Sequence, residues 1–416
     1  MRAPVKLWVD TTAATSGEAL FGLPPLERLR RSLDQLERRR RRFDPSHADT
    51  SVILSGSEAT GATWPSASVQ SERGPLGARL REALANGPLV ALDGANVVDP
   101  RLIDFMLSGS GSCVASRGEA ERRAVALRLE PELAEAIPPE ARDLRAVADA
   151  LLAARRIAPV DERAFPAYIN KLRRSLPYWL HAVDSPATRK RLEREMFWEN
   201  YKGSTDLLTR WVYPPLVWPL VRLCVRLGLR PNAVTALSIV LTIAAVPLFA
   251  RGDWLAGFLC AYGMSVLDSV DGKLARLTLT DSRIGNVLDH GLDQVHPPFW
   301  YFAWALGLGA RTPDDLLYRA GIWLIVFYVA DRIVLGIAKR RLGFTLHAAT
   351  RLDGAVRSII ARRNITMTIM AVAVLIGAGP AGLYLVTAWQ GLTFAWHTAR
   401  TIRLGWLPSG RGRPSA

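Results

Sequence analysis

Four aspartates in an otherwise acid-poor stretch are the residues best placed to do chemistry. Asp268 and Asp271 are three apart, and Asp289 and Asp293 are four apart. On a helix either spacing puts both carboxylates on one face. Two such helices joined by a short turn would present four carboxylates to each other, and like charges that close cannot all stay ionised unaided. Hard divalent cations with oxygen ligands resolve the repulsion, and Mg²⁺ commonly takes one or two carboxylates plus substrate phosphates. A pair of ions fits four aspartates and a diphosphate, clamping the attacking and leaving oxygens.

The residues between the aspartates suit the same purpose. The string reads Asp268-Ser-Val-Asp271-Gly272-Lys-Leu-Ala275-Arg276, then, after eight residues, Gly285-Asn-Val-Leu-Asp289-His-Gly-Leu-Asp293. Gly272 and Ala275 are small, so a planar base or a phosphate can approach that face. Gly285 lies one turn before Asp289 and permits close helix packing. Arg276 supplies a fixed donor fork suited to phosphate. His290 and His296 are nearby without an assignable role, and the aromatic run Phe299–Trp304 reads as lipid-facing or interfacial.

The elements that must hold these residues follow from charge and hydropathy. The chain has 416 residues, 49% hydrophobic and 22% charged, with a net charge of +15. Its mean hydropathy is near zero, at +0.10, but that average joins two unlike halves. From Pro231 onward there are 18 Lys/Arg and 10 Asp, and no Glu follows Glu199. Pro231–Ala250 is an uncharged run of about the length needed to cross a bilayer. Comparable stretches follow at Trp254–Val270, Ile284–Ala310, Leu316–Ala338, Ile365–Gly379 and Ala381–Ala399, predicting six transmembrane helices. Charges inside such helices are expensive and usually functional, which returns attention to the four aspartates. The basic connector Lys339–Asn364, with Arg357, Arg362 and Arg363, and the basic tail place the N-terminus, the C-terminus and the aspartates on the cytoplasmic side. The positive charge is accordingly assigned to loops facing anionic lipid rather than to nucleic acid. Tyr213–Leu229, apolar but with Arg222 and Arg226, reads as an amphipathic helix lying in the interface.

The first half alternates short apolar runs with helical patterns, which indicates an α/β layer with a mostly parallel sheet. Strands are expected at Lys6–Asp10, Ser51–Leu54, Pro88–Leu92, Ser112–Ala115 and Ala124–Leu129. Helices are expected at Leu26–Arg42, Leu76–Ala85 and Asp99–Leu107, with Ser55–Gly74 a loop and Ala164–Tyr201 a basic, aromatic helical connector. The run Arg38–Arg42 reads as a solvated or membrane-facing charge face rather than a nucleic-acid patch. Cys113, Cys224 and Cys260 show no paired spacing. Met1–Asp10 is too short and mixed for a signal peptide. The predicted organisation is an α/β domain over 1–160, a connector with an interfacial helix over 161–230, a six-helix membrane domain over 231–403 and a basic tail over 404–416.

At the aspartate string the sequence resembles the CDP-alcohol phosphotransferases, matching their signature across Asp268–Asp293, and it carries their Pro-Asn-x-x-Thr entry as Pro231, Asn232 and Thr235. The resemblance implies a six-helix domain, commonly a homodimer, with a polar cavity open to the cytoplasm, in which an alcohol acceptor displaces CMP from a CDP-linked donor. It implies Asp268, Asp271, Asp289 and Asp293 as ligands for Mg²⁺ or Mn²⁺, with Asp293 also the general base. Asn232, Thr235, Gly272, Ala275, Arg276 and Gly285 would form the CDP site, and Arg357, Arg362 and Arg363 would bind the acceptor. The N-terminal part is faintly similar to nucleotidyltransferases, through Phe21–Leu33 and through Leu89–Leu107 with Asp93 and Asp99. That family's glycine-rich loop does not match, since Thr11–Gly17 holds one glycine and no basic residue, so a degenerate module is expected. Two other readings of buried carboxylates are a transporter and a membrane prenyltransferase. The first predicts internal repeats, which are not seen, and the second lacks the Gly-x-x-Ala-Arg insert.

Overall fold

The computed structural model describes residues 4–12, 18–42, 49–56, 64, 66–71, 73–116, 124–169, 172, 174–201, 206–280 and 283–405, with the side chains of 71, 283–290, 292, 293, 348, 351 and 405 outside that description. The chain forms two compact units. One comprises Met1–Ile169 with Ser175–Glu199, the other Asn170–Arg174 with Asn200–Ala416. The stretch 161–230 is thus divided between them.

The first unit is a seven-stranded sheet between helices. Its elements are β1 (Lys6–Asp10), α1 (Pro25–Arg40), β2 (Val52–Gly56), β3 (Ser68–Ser71), α2 (Leu76–Leu84), β4 (Leu89–Asp93), β5 (Asn96–Val98), α3 (Pro100–Ser108), β6 (Cys113–Ser116), β7 (Val125–Leu129), α4 (Leu144–Ala153), β8 (Ala158–Pro159) and α5 (Pro186–Glu199). The sheet runs β3-β2-β1-β4-β7-β6-β8. The run from the β3 edge through β4 is parallel, but β7 runs antiparallel to both β4 and β6. Alternation along β1 divides two cores. Leu7 and Val9 join the leucine stripe of α1 (Leu26, Leu29, Leu33, Leu36) and α3, while Trp8 packs with α2 and α4.

Two expectations for this unit are corrected. Ser55–Gly74 is not all loop, because Ser55 and Gly56 finish β2 and Ser68–Ser71 makes an edge strand. Gln70 pins that edge, accepting from Trp8 Nε1 at 2.9 Å and donating to the Arg79 carbonyl at 3.0 Å. Within 164–201 helix is confined to α5; Leu180–Ala182 instead pairs antiparallel with β5. In the arginine run at the end of α1, Arg38, Arg39, Arg41 and Arg42 are exposed, and Arg40 reaches Asp104 at 2.6 Å.

The second unit is helical, with α6 (Tyr213–Arg226), α7 (Pro231–Arg251), α8 (Trp254–Leu277), α9 (Arg283–Gly307), α10 (Leu316–Leu342), α11 (Arg351–Val356), α12 (Arg363–Leu375) and α13 (Gly379–Gly405). Helices occupy all six positions expected to be apolar spans. By length and composition two of them, α7 and α10, suffice to cross a membrane among the described residues; α12 is shorter, at 13 residues. α6 buries Tyr213, Val217, Val221 and Cys224 and exposes Leu216 and Leu223. α7 packs against both α8 and α9, and α10 packs against α9 and α13. A Cβ on Gly307 would sit 2.0 Å from the Phe249 carbonyl oxygen, so α7 and α9 approach as closely as they do because that residue is glycine.

The aromatic run on α9 is a further correction. Trp300, Tyr301 and Trp304 are buried around Phe249 and Met264, leaving Phe299 exposed. Large side chains at i, i+1 and i+4 face inward where α9 is enclosed by α7 and α10. Leu237, Val240, Ile243, Leu255, Leu259 and Leu375 instead point outward and are exposed.

Candidate functional site

The site is built on α8. Asp268 and Asp271, one turn apart, are partly and fully buried respectively. Each carboxylate has a fixed partner from a different helix. Thr235, one turn into α7, donates its hydroxyl to Asp271 Oδ2 at 2.6 Å. Arg363, at the start of α12, donates from Nη2 to Asp268 Oδ2 at 2.9 Å. Hydroxyl and guanidinium donors of this kind orient carboxylates, as the outer partners of metal ligands do.

Beyond the aspartates, α8 offers a small-residue face. A Cβ on Gly272 would lie 3.3 Å from Arg276 Nη1, so the glycine leaves room for the guanidinium to fold back along the helix. Arg276 Nε donates to Asn200 Oδ1 at 3.1 Å. Ala275 is half-buried, and Asn232 is exposed at the head of α7. Lys273 is buried with Nζ 3.3 Å from the centre of the Tyr201 ring. Gly285, Asp289, His290 and Asp293 fall on α9 at the expected helical register, but their side chains lie outside the described residues. His296 is buried against Trp300.

The described donor set fits a divalent cation. It comprises two carboxylates on one helical face, hard oxygen donors held in place from both sides. Among the described residues no group of three or more potential metal-binding side chains occurs, so the two described aspartates are half of the expected set.

The three candidate arginines fall in different settings. Arg363 is on Asp268. Arg362 reaches Asp206 Oδ2 at 3.4 Å. Arg357 is buried at the end of α11.

Asp206 is the residue that sequence reasoning passed over. It is 3% exposed and accepts from the Thr209 amide and hydroxyl, both at 3.0 Å, and from Asn364 Nδ2 at 3.1 Å. Burial opposes its ionisation, but Arg362 and these hydrogen bonds outweigh that and hold the carboxyl below its ordinary range. The network continues from Asn364 Oδ1, which accepts from Ser265 Oγ at 2.6 Å. Ser265 in turn accepts from Tyr213 at 3.0 Å and from Arg363 at 3.3 Å. The available signal was the Asp-x-x-Thr spacing ahead of an apolar helix, which marks a helix start.

A second buried carboxylate, Asp331, is paired with its neighbour Arg332 at 2.7 Å and meets His397 Nδ1 at 2.5 Å. In the α/β unit Asp99 caps α3, accepting from the Arg101 amide at 2.8 Å and pairing with the Arg101 guanidinium at 2.7 Å. Asp93 lies beside Asp10 in the β1–β4 register and accepts from the Ala95 amide at 2.8 Å. Of the Thr11–Gly17 loop, residues 13–17 lie outside the described residues.

The helical unit with its paired carboxylates is also the part of the chain that a family model matches. Residues 229–399 match the model of the CDP-alcohol phosphatidyltransferase family. Cholinephosphotransferase 1 of Gallus gallus is 32% identical over 166 residues, covering 37% of this chain and 48% of that protein. Archaetidylinositol phosphate synthase of Pyrococcus horikoshii is 27% identical over 187 residues, covering 44% and 90%. The crystal structure of phosphatidylinositol phosphate synthase of Mycobacterium tuberculosis with CDP-DAG bound covers 49% of this chain and all of its own, at 20% identity and a TM-score of 0.38. The chain spans about half the length or less of the cholinephosphotransferases it matches.

Proposed function

We propose that the helical unit is an integral membrane CDP-alcohol phosphotransferase, moving a substituted phosphate from a CDP-linked donor to an alcohol acceptor with release of CMP in phospholipid or polyol-phosphodiester synthesis. The observation that carries this is the pair Asp268–Asp271, each oriented by a donor from another helix within the family-matched segment. The outward leucines, isoleucines and valines of α7, α8 and α12 support a bilayer setting, and we read α7, α8, α9, α10, α12 and α13 as six spans. The distribution of Lys and Arg favours both termini and the site on the cytoplasmic side, and the family commonly forms a homodimer.

Mg²⁺ or Mn²⁺, as two ions held by Asp268, Asp271, Asp289 and Asp293, would offset the charge of the diphosphate and of the departing CMP. Thr235 keeps Asp271 turned to one rotamer, so its oxygens need not reorganise as charge develops. Arg276 presents a guanidinium fork to the CDP phosphates over the gap left by Gly272 and Ala275, with Asn232, Thr235 and Gly285 completing that side. Asp293 accepts the proton of the acceptor hydroxyl as the hydroxyl oxygen bonds to the donor's β-phosphorus and the phosphorus–oxygen bond to CMP breaks. Arg357, Arg362 and Arg363 form the basic acceptor side. The α/β unit is a nucleotidyltransferase-like module without catalysis: Asp99 is used as a helix cap and Asp10 is bridged by a buried arginine.

The test is CMP release by the full chain in nanodiscs. CDP-diacylglycerol is offered with myo-inositol 1-phosphate, and CDP-choline with diacylglycerol, each with Mg²⁺ or Mn²⁺. We expect CMP from at least one pair, abolished by EDTA and strongly reduced in Asp293→Asn. Absence of CMP from every pair in folded protein overturns the reading and favours a carboxylate-coupled transporter.

A further inference from the structure

Arg362 and Arg363 are adjacent in sequence but belong to different carboxylates. Arg363 is on Asp268 at 2.9 Å, and Arg362 is on Asp206 at 3.4 Å. The two ion pairs are joined by a continuous buried path, Asp206 to Asn364 to Ser265 to Arg363, through contacts of 3.1, 2.6 and 3.3 Å. Asp206, Asn364 and Ser265 are all buried, at 3%, 6% and 0% exposed. Asp206 is itself locked by the amide and hydroxyl of Thr209, so its carboxylate cannot swing to follow an arginine.

From this arrangement we infer that Asp206 is a positioning residue for the metal-binding aspartates, acting as a counter-ion that keeps Arg362 away from Asp268. The inference rests on the proposed metal-binding role of Asp268. Any cation that binds Asp268 competes there with a guanidinium. With Asp206 ionised, one arginine competes, since the other is neutralised elsewhere. Without that charge, two adjacent guanidinium groups face Asp268, the other described carboxylate of the network, and a divalent ion has more to displace. The residue thus acts at a distance of several side chains, without itself binding metal or substrate.

The experiment is Mn²⁺ titration followed by electron paramagnetic resonance, on the full chain in nanodiscs of zwitterionic lipid, with no nucleotide present. Asp268→Asn defines the binding that belongs to the site. Asp206→Asn, nearly isosteric and still able to accept from Thr209, is expected to raise the Kd for Mn²⁺ at least five-fold. The double variant Asp206→Asn/Arg362→Gln is expected to return it to within two-fold of the wild type, because the surplus competitor is gone. A purely structural role for Asp206 predicts loss without that rescue, and an unchanged Kd in Asp206→Asn predicts no role; either result overturns the inference while leaving the metal reading intact. Should Asp206→Asn fail to fold, Arg362→Gln alone carries the test. It leaves Asp206 free to draw Arg363 from Asp268, so Mn²⁺ binding should tighten two-fold or more, and an unchanged or weakened affinity overturns the inference. A wild-type chain with no Mn²⁺ binding that depends on Asp268 overturns the metal reading and this inference with it.

Discussion

In the α/β unit Asp10 and Asp93 stand side by side at the ends of two parallel strands; in the helical unit Asp268 and Asp271 stand one turn apart on one helix. Both pairs bring carboxylates close together and both involve an arginine from another element. Their surroundings differ. The Arg79 guanidinium is 4% exposed and is spent inside the fold, donating to Ser55 Oγ at 2.6 Å and to Asp10 at 3.3 Å. Burial still pushes the Asp10 carboxyl above its ordinary range, more than Arg79 pulls it down. On α8, by contrast, Asp268 stays partly accessible, and its partner Arg363 is tied into a network that reaches other helices. Aspartates adjacent in space are therefore not a site in themselves. What distinguishes them is whether their partners complete a core or hold a face open.

The sharpest way to break this contrast is to neutralise one aspartate of the helical pair. Asp271→Asn keeps the shape and the Thr235 hydrogen bond but removes a charge from the proposed metal site. CMP release should fall by at least about 10³-fold, in the range seen when groups acting directly on the reacting atoms are removed. The protein should stay folded, checked by size exclusion and helical circular dichroism. Residual activity near that of the wild type would place Asp271 among ordinary buried polar residues.

The corresponding change in the α/β unit should act on stability alone. Arg79→Ala leaves Asp10 buried without its cation and Ser55 without a donor. Breaking a buried pair from one side costs about 3–5 kcal/mol, so hydrogen exchange across β1 and β2 should accelerate in the full chain. If Arg79→Ala lowered CMP release with unchanged exchange, the division of labour between the two units would be wrong. A smaller effect is expected from Thr235→Val. Loss of a partner that orients a metal ligand typically costs about 10–100-fold in affinity or activity, to be read as a raised Mg²⁺ requirement in the CMP assay. A change in thermal stability without any change in Mg²⁺ requirement would reduce Thr235 to a packing residue.

Much of both units was legible in the sequence, for reasons that differ by unit. The strands β1, β4 and β7 are short apolar runs bounded by polar residues, and the leucine stripe of α1 repeats at helical spacing, so their positions follow from periodicity. β3 was hidden because Ser68–Ser71 carries one large apolar residue, Val69; it is a strand because Gln70 bonds Trp8, a contact across 62 residues. In the helical unit the aspartates stood out against a glutamate-free background. The buried aromatic run of α9 did not, since Trp and Tyr suit a lipid interface and a helix core equally well until the neighbouring helices are known. Asp206 was legible only as a helix start, because its partners Arg362 and Asn364 lie more than 150 residues away.

The smallest effect concerns Asp93, and its sign tests the contrast from the other side. Burial pushes the Asp93 carboxyl up, the Ala95 amide pulls it down, and the nearby carboxylates of Asp10 and Asp143 push it up further, leaving it raised. A raised carboxyl binds its proton more tightly in the folded than in the unfolded chain. Its ionisation therefore costs the fold nothing below the unfolded value, about 3.9. The cost grows as pH rises from there through the folded value, and it is fully present at neutral pH. Asp93→Asn keeps an acceptor for the Ala95 amide and removes that cost. It should slow hydrogen exchange of β4 at pH 7, with the gain disappearing as the pH is lowered through 4 and both forms become neutral. A destabilised β4 at pH 7 would mean that the ionised Asp93 is favoured where it stands, and that the strand-end pair of the α/β unit is organised for a cation as the α8 pair is proposed to be.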